Sequence, residues 1–155
     1  MAASAPPGGR IDSVPTTDLG IKELLDQLRE GDYFALLAFV EMTRAHRDAL
    51  AAIRAVVRDR RKVATSVGFG PRYLHSTGQA HKGGPNSGVF LVITCDDLED
   101  LPVPGQRYSF GIIKRLQARG DFEVLASRGR RVLRVHLKDL DAGLRDLHAI
   151  VQKVA

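Results

Sequence analysis

The sequence predicts a three-layer α/β sandwich with a small, mainly parallel sheet. Three observations lead there. Two apolar runs, YFALLAFV at residues 33–40 and VFLVIT at residues 89–94, are continuous rather than alternating, as strands covered on both faces are. Four strand-like segments alternate with helical patterns of ten or more residues, the signature of βαβ units. A length of 155 residues suits one domain with a substantial core. Residues 1–15, rich in Ala, Pro, Gly and Ser, read as a mobile leader, which leaves residues 16–155 as the domain.

In chain order, residues 18–30 form an amphipathic helix with Ile21, Leu24, Leu25 and Leu28 on one face and Gly31 as its stop. The 33–40 run is the first strand. Thr43 caps a helix reaching about Arg60, with Leu50, Ile53, Val56 and Val57 as its apolar stripe. Residues 63–67 and 89–94 are strands on either side of a long connection. Residues 96–107 carry two prolines and Gly105, hence a loop. Ser109 caps a helix to Arg119, Gly120 ends it, and Asp121 caps a short second helix to about Ser127. Residues 131–137 are the last strand, and Asp139 caps a final helix with Leu140, Leu144, Leu147, Val151 and Val154 on its apolar side.

Composition excludes several classes. Apolar residues at 44% and charged residues at 26% are ordinary for a water-exposed globular chain. No apolar run approaches the roughly 20 residues needed to span a bilayer, and the N-terminus lacks a secretory h-region. A single cysteine, Cys95, ends an apolar run and reads as a small buried hydrophobe, with the cytoplasm as the expected compartment. The net charge of +5 invites a nucleic-acid partner. The basic residues, however, are dispersed, and the densest run, RDRRK at 58–62, falls where cations complement a helix C-terminus. Aromatics are only 6%, without a base-stacking strand, so neither nucleic acid nor membrane is expected as partner.

Residues 68–88, GFGPRYLHSTGQAHKGGPNSG, carry the chemistry. About twenty residues without clear periodicity are long for a connection inside a compact domain, and such connections are usually functional. The stretch holds six glycines, His75, His81, Arg72, Lys82, Gln79, Ser76, Thr77 and Asn86, with Phe69, Tyr73 and Leu74 as apolar anchors. Glycines let backbone N–H groups approach a ligand, and Lys and Arg supply positive charge, so a polar anionic small molecule fits. The plainer alternative is a Gly/Pro-rich connection. In an open α/β sheet, ligands bind outside the carboxyl ends of the strands. Glu41, this connection, and Asp96 with Asp97 all fall at such ends. No dinucleotide or P-loop pattern is completed, since Tyr73 stands in place of a third glycine, nothing helical is expected next, and Lys82 precedes its glycines. His75 and His81 lack companion ligands, so no metal and no cofactor are expected. No serine has a nucleophile-elbow context. His46 and His148 read as surface residues and His136 as structural. Proton transfer is easier to build: an imidazole, Lys82 to steady an oxyanion, and Glu41 as the local carboxylate.

The string GPRYLHSTGQAHKGGPNSGVFLVIT, with GDYFALLAFV upstream and YSFGIIKRLQARGDFEVLASRGRRVLRVHL downstream, resembles the C-terminal end of bacterial transaldolase/glucose-6-phosphate isomerase fusion proteins over residues 31–137. The resemblance implies a sugar-isomerase (SIS-type) α/β domain and interconversion of glucose 6-phosphate and fructose 6-phosphate through a cis-enediol, within glycolysis and the pentose phosphate pathway. It implies Gln79 and Lys82 near C1 and the ring oxygen, with His75, Ser76, Thr77, Arg72 and His81 as further substrate contacts. No segment matches the one that supplies the family's base glutamate, so Glu41 stands only as a local candidate. The first SIS-type domain and the transaldolase barrel are missing, and a barrel needs about 250 residues. The expectation is therefore an isomerase module that needs a partner chain or a second copy, or a non-enzymatic sugar-phosphate-binding or subunit-interaction module derived from that enzyme.

Overall fold

Four strands lie in one sheet in the order β2-β1-β3-β4, all parallel, in the computed structural model, which describes residues 18–155. They are β1 (Tyr33–Phe39), β2 (Ala64–Phe69), β3 (Gly88–Cys95) and β4 (Arg131–Leu137). The helices are α1 (Asp18–Leu25), α2 (Arg44–Arg61), α3 (Thr77–Gly83), α4 (Phe110–Ser127) and α5 (Leu140–Val154), with a 3-10 turn at Arg72–His75. The fold is an α/β sandwich of three layers. The proposed leader, residues 1–15, lies outside the described residues.

The continuous apolar runs are explained by the two covered faces. In β1, Phe34, Leu36 and Ala38 meet α1, α2 and α5, while Ala35, Leu37 and Phe39 meet Tyr73 of the 3-10 turn and Ala118, Phe122 and Leu125 of α4. In β3, Val89, Leu91, Ile93 and Cys95 face the first layer, and Phe90 and Val92 the second. Period two sends alternate residues to opposite layers, so both sets must be apolar. α2 and α5 open on side-chain caps, Thr43 Oγ1 accepting from His46 N at 3.1 Å and Asp139 Oδ1 from Ala142 N at 2.7 Å.

Three expectations need correction. Residues 68–88 are not a loop throughout: the 3-10 turn and α3 occupy most of them. Gly78 and Gly83 depress helix propensity and hid the pattern, but Tyr73, Gly78 and His81 form a buried inner face that holds the segment on the sheet. Gly120 does not end a helix and Asp121 caps nothing, because α4 runs unbroken through both. Ala118, Asp121, Phe122 and Leu125 are all buried on one face, and that packing outweighs the roughly 1 kcal/mol cost of a mid-helix glycine. The basic run at 58–62 does more than complement the α2 C-terminus. Arg61 donates to the Val154 carbonyl at 3.1 Å and pairs with Asp26 at 3.0 Å, tying α2 to α5 and to the end of α1.

The amino ends of the strands are clamped. Arg131 holds Asp32 in a two-pronged bond (2.5 and 3.0 Å) and also reaches the carbonyls of Gln27 and Asn86. That guanidinium keeps the Asp32 carboxyl below the ordinary carboxylate range. At the other end of the sheet, Gly70 leaves β2 so close to Phe39 that a Cβ there would lie 2.5 Å from the ring. Because the Phe39 ring is 1% exposed and cannot swing away, we expect Gly70→Ala to lower unfolding free energy by about 1–3 kcal/mol, the usual cost of overpacking. Urea unfolding of the pair measures it; an unchanged midpoint would mean that the Phe39 site is loosely packed.

Candidate functional site

A polar ridge and a carboxyl-end cleft divide the candidate residues between them. The ridge is the 3-10 turn with α3, bridging β2 to β3 across the face that α4 also covers. Its inner half is structural. Tyr73 packs edge-on against Phe39 (centroids 5.7 Å apart) and donates its hydroxyl to Asp121 of α4. Lys82 Nζ pairs with the other Asp121 oxygen at 2.8 Å, the carboxylate being 2% and the lysine 20% exposed. Burial, then the Asp121 bond, pushes the Tyr73 phenol far above its ordinary range, so it stays a donor. His81 Nδ1 lies 2.8 Å from the Tyr33 hydroxyl, and its ring stacks on Tyr33 and meets Phe90 edge-on. Arg128 and Arg130 donate to the Lys82 carbonyl (3.0 and 2.9 Å), and Arg130 also to that of Gly84 (2.6 Å). The Lys82 carbonyl near the end of α3, where carbonyls lack intrahelical partners, is thereby satisfied.

The outer half of the ridge is open. Arg72, His75, Ser76, Thr77 and Gln79 are exposed. Gln79 Nε2 donates to the Leu74 carbonyl at 2.7 Å, which leaves its side-chain oxygen outward as an acceptor, and Ser76 Oγ donates to the Tyr73 carbonyl at 3.2 Å. Arg72 and His75 make no ion pair among the described residues.

The cleft lies outside the carboxyl ends of β1, β3 and β4, about 600 Å3 in volume. Of the eight sequence candidates (Lys82, Gln79, Glu41, His75, Ser76, Thr77, Arg72, His81), Glu41 alone lines it. Six carboxylates border it against Lys138 and His46, so it suits hydroxyls or cations rather than a phosphate. Most of these acids are committed: Asp141 to His46 Nε2 at 3.1 Å, Asp96 to His136 Nε2 at 3.1 Å, Asp97 to Lys114, and Asp139 to the α5 cap. Glu41 and Glu99 keep side chains without a partner among the described residues. Burial pushes the Cys95 thiol up, as fits a core residue. Among the described residues no three or more of His, Cys, Asp and Glu are grouped to hold a metal ion.

Glu41 is thus not brought to Lys82. The Lys82 backbone is gripped by Arg130, one residue before β4, and His81 by Tyr33, the first residue of β1, whereas Glu41 follows the far end of β1. Seven strand residues span about 20 Å. The sequence reading placed His46 at the surface, whereas its side chain is largely buried, borders the cleft and has Nδ1 2.8 Å from the Glu41 carbonyl; His136, read as structural, has Nδ1 3.0 Å from Thr94 Oγ1. A signal for His46 was present: it opens the helix that leaves the carboxyl end of β1. Asp121 carried no signal, because its partners are 48 and 39 positions away in the chain.

No family model matches the chain and no curated protein matches it. Among solved structures it is similar to the hypothetical protein TT0462 from Thermus thermophilus, with a TM-score of 0.71 at 17% identity over 88% of this chain. At that identity the likeness shows the fold. The chain spans 38% of the length of that protein. No helix among the described residues is long and apolar enough to cross a membrane.

Two outcomes follow from the inner half of the ridge. Lys82→Ala leaves a buried carboxylate without its cation and should cost about 3 kcal/mol of stability, at the low end for a broken buried pair because the lysine keeps some solvent. Chemical denaturation measures this, and a loss below about 0.5 kcal/mol would mean that the pair behaves as a surface bridge. Burial, the largest influence, holds His81 below its ordinary value of 6.5, Asp121 and Lys82 acting in opposite senses. The unfolded chain therefore binds the proton first as pH falls. Stability is full above about 6.5 and declines as pH drops towards the folded value. Melting midpoints between pH 7.5 and 5.5 should fall in the native chain and fall less in His81→Asn; parallel declines would overturn the assignment.

Proposed function

We propose that this chain is a sugar-phosphate-binding module of the aldose–ketose isomerase type, with glucose 6-phosphate and fructose 6-phosphate as ligands, working with a partner chain or a second copy. One observation carries this reading. The string that resembles the transaldolase/glucose-6-phosphate isomerase family is split into a buried half that fastens it to the sheet and an exposed half that presents a cation and several hydrogen-bonding groups. In this reading Arg72 and His75 meet the phosphate, while Thr77 and the outward oxygen of Gln79 meet hydroxyls. Lys82 passes from substrate contact to scaffold, because its ammonium is already engaged by Asp121. Glu41 belongs to the cleft, away from the ridge, so a single copy lacks an assembled acid–base pair.

That commitment of Lys82 to Asp121 also favours a second reading, a binding or subunit-interaction module without catalysis of its own. Calorimetry with fructose 6-phosphate and a coupled isomerase assay separate the two. We expect weak binding that Arg72→Ala reduces about tenfold, as loss of one charge-assisted contact does. Turnover by the isolated chain should be absent or about 10²- to 10⁴-fold below an ordinary isomerase, the usual effect of a missing base. Full turnover would overturn the incomplete-site argument. Equal affinity in native and Arg72→Ala proteins would remove the ridge as the ligand site.

A further inference from the structure

A second cavity, about 740 Å3 in volume, opens at the amino ends of β1 and β2, the opposite end of the sheet from the cleft. Two connections line it, residues 28–32 before β1 and residues 60–64 between α2 and β2, and the pairing of Tyr33 with Ala64 sets them side by side. The lining holds four cations, Arg29, Arg60, Arg61 and Lys62, and two carboxylates, Glu30 and Asp32. The acids do not neutralise the cations. Asp32 is held by Arg131, which stands outside the lining. Arg61 is paired with Asp26 and Arg60 donates to the Gln152 carbonyl, so these two set the field of the cavity. Arg29 and Lys62 are exposed and have no ion pair among the described residues, and Glu30 is in the same state.

The helix dipole accounts for cations in a last helical turn. It does not cover Arg29 and Lys62, which lie beyond the ends of α1 at Leu25 and α2 at Arg61. Lys62 is also the one non-glycine residue with a left-handed backbone, φ 56°, among the described residues. Glycine is what such a helix end favours, and a side chain there strains the backbone. A strained position that carries a lysine points to use of its ammonium. We infer that this cavity binds a phosphorylated small molecule with at least two negative charges, such as a diphosphate ester, with Arg29 and Lys62 as its principal contacts. A guanidinium meets phosphate oxygens in pairs, and an ammonium meets them as a point charge. One cation stands on each connection, so a ligand charged at a single point would leave one wall unmatched. The volume fits a molecule of nucleotide size, and Glu30 offers acceptors to its hydroxyls. The six residues of β2, roughly 17 Å of strand, separate this cavity from the 3-10 turn. It is therefore not the ridge, and it does not rest on the sugar-phosphate reading.

Amide NMR titration of the full chain with inorganic pyrophosphate tests this. Saturable shifts are expected at residues 28–32 and 60–64, with affinity falling as salt is raised because the contacts are exposed. Arg29→Gln should bind about tenfold more weakly, as loss of one charge-assisted contact does. Lys62→Gly should do the same while melting no lower than the native chain, since glycine suits the left-handed position. Weaker binding with intact stability excludes a folding defect. Arg72→Ala should bind pyrophosphate like the native chain, whereas fructose 6-phosphate on the ridge depends on Arg72, so the two readings fail separately. No shift at millimolar pyrophosphate overturns the site, as do shifts confined to residues 72–79. Equal affinity in the native, Arg29→Gln and Lys62→Gly chains overturns it too. The same shifts with chloride at equal ionic strength would mean screening by salt alone and would also overturn it.

Discussion

The buried carboxylate of Asp121 is the constraint on which the second layer depends. A charge 2% exposed is tolerable only if hydrogen-bonded and paired, and it finds Tyr73 in the 3-10 turn and Lys82 at the end of α3. One group on α4 thus fixes both ends of the ridge. Without it the ridge would be a glycine-rich segment of low helix propensity, held by the packing of Tyr73 and His81 and by the arginine bonds to its last carbonyls. Arg128 and Arg130 complete the attachment from the α4–β4 connection by taking the Lys82 and Gly84 carbonyls. The layer is fastened by polar contacts because it is thin: a seven-residue helix and a single turn cannot bury enough apolar surface to define their own position.

The two ends of the sheet differ in their side-chain commitments. At the amino ends, Arg131 is committed to Asp32 and His81 to Tyr33, beside an open cavity lined by residues 28–32 and 60–64. At the carboxyl ends the strands open into a cleft where Glu41 and Glu99 have no partner among the described residues. The strand order places β2 and β3 on opposite sides of β1, so the chain changes direction between β1 and β3. That is the crevice where parallel sheets expose backbone and side chains to a ligand. The ridge runs between the two ends, with His81 rooted at Tyr33 on the amino side.

Much of the fold was legible because its determinants are local. The runs at 33–40 and 89–94 state that both faces of the strands are covered, and Thr43, Ser109 and Asp139 cap the helices that their positions predict. What was illegible depends on partners far apart in the chain. Gly120 is a stop by propensity, and only the burial of Ala118, Phe122 and Leu125 overrides it. Lys82, followed by two glycines, looks like a free cation until Asp121, 39 positions on, is seen beneath it. Arg72, His75 and Gln79 gave the same sequence signal as Lys82, yet they point outward.

The division within one short string bears on how a site of this kind can be built. A residue that anchors a segment must be desolvated and satisfied, and a residue that meets ligand must be solvated and free until the ligand arrives. Lys82 and Gln79, three positions apart on a helix, would share a face in a long helix. Here Gly78 lets the backbone sit against Tyr73 and the sheet, so that the lysine folds under towards Asp121 while Gln79 stays out. Gly78, which by sequence could serve ligand approach, is in this sense a packing position: a Cβ there would lie 3.0 Å from the Tyr73 carbonyl. In the proposed reading, the affinity of the ridge for an anion rests on Arg72 and His75, its exposed basic side chains. A site with so few charges on an open surface needs a second wall to exclude water and reach useful affinity, which is the physical reason to look for a partner chain or a second copy beside it.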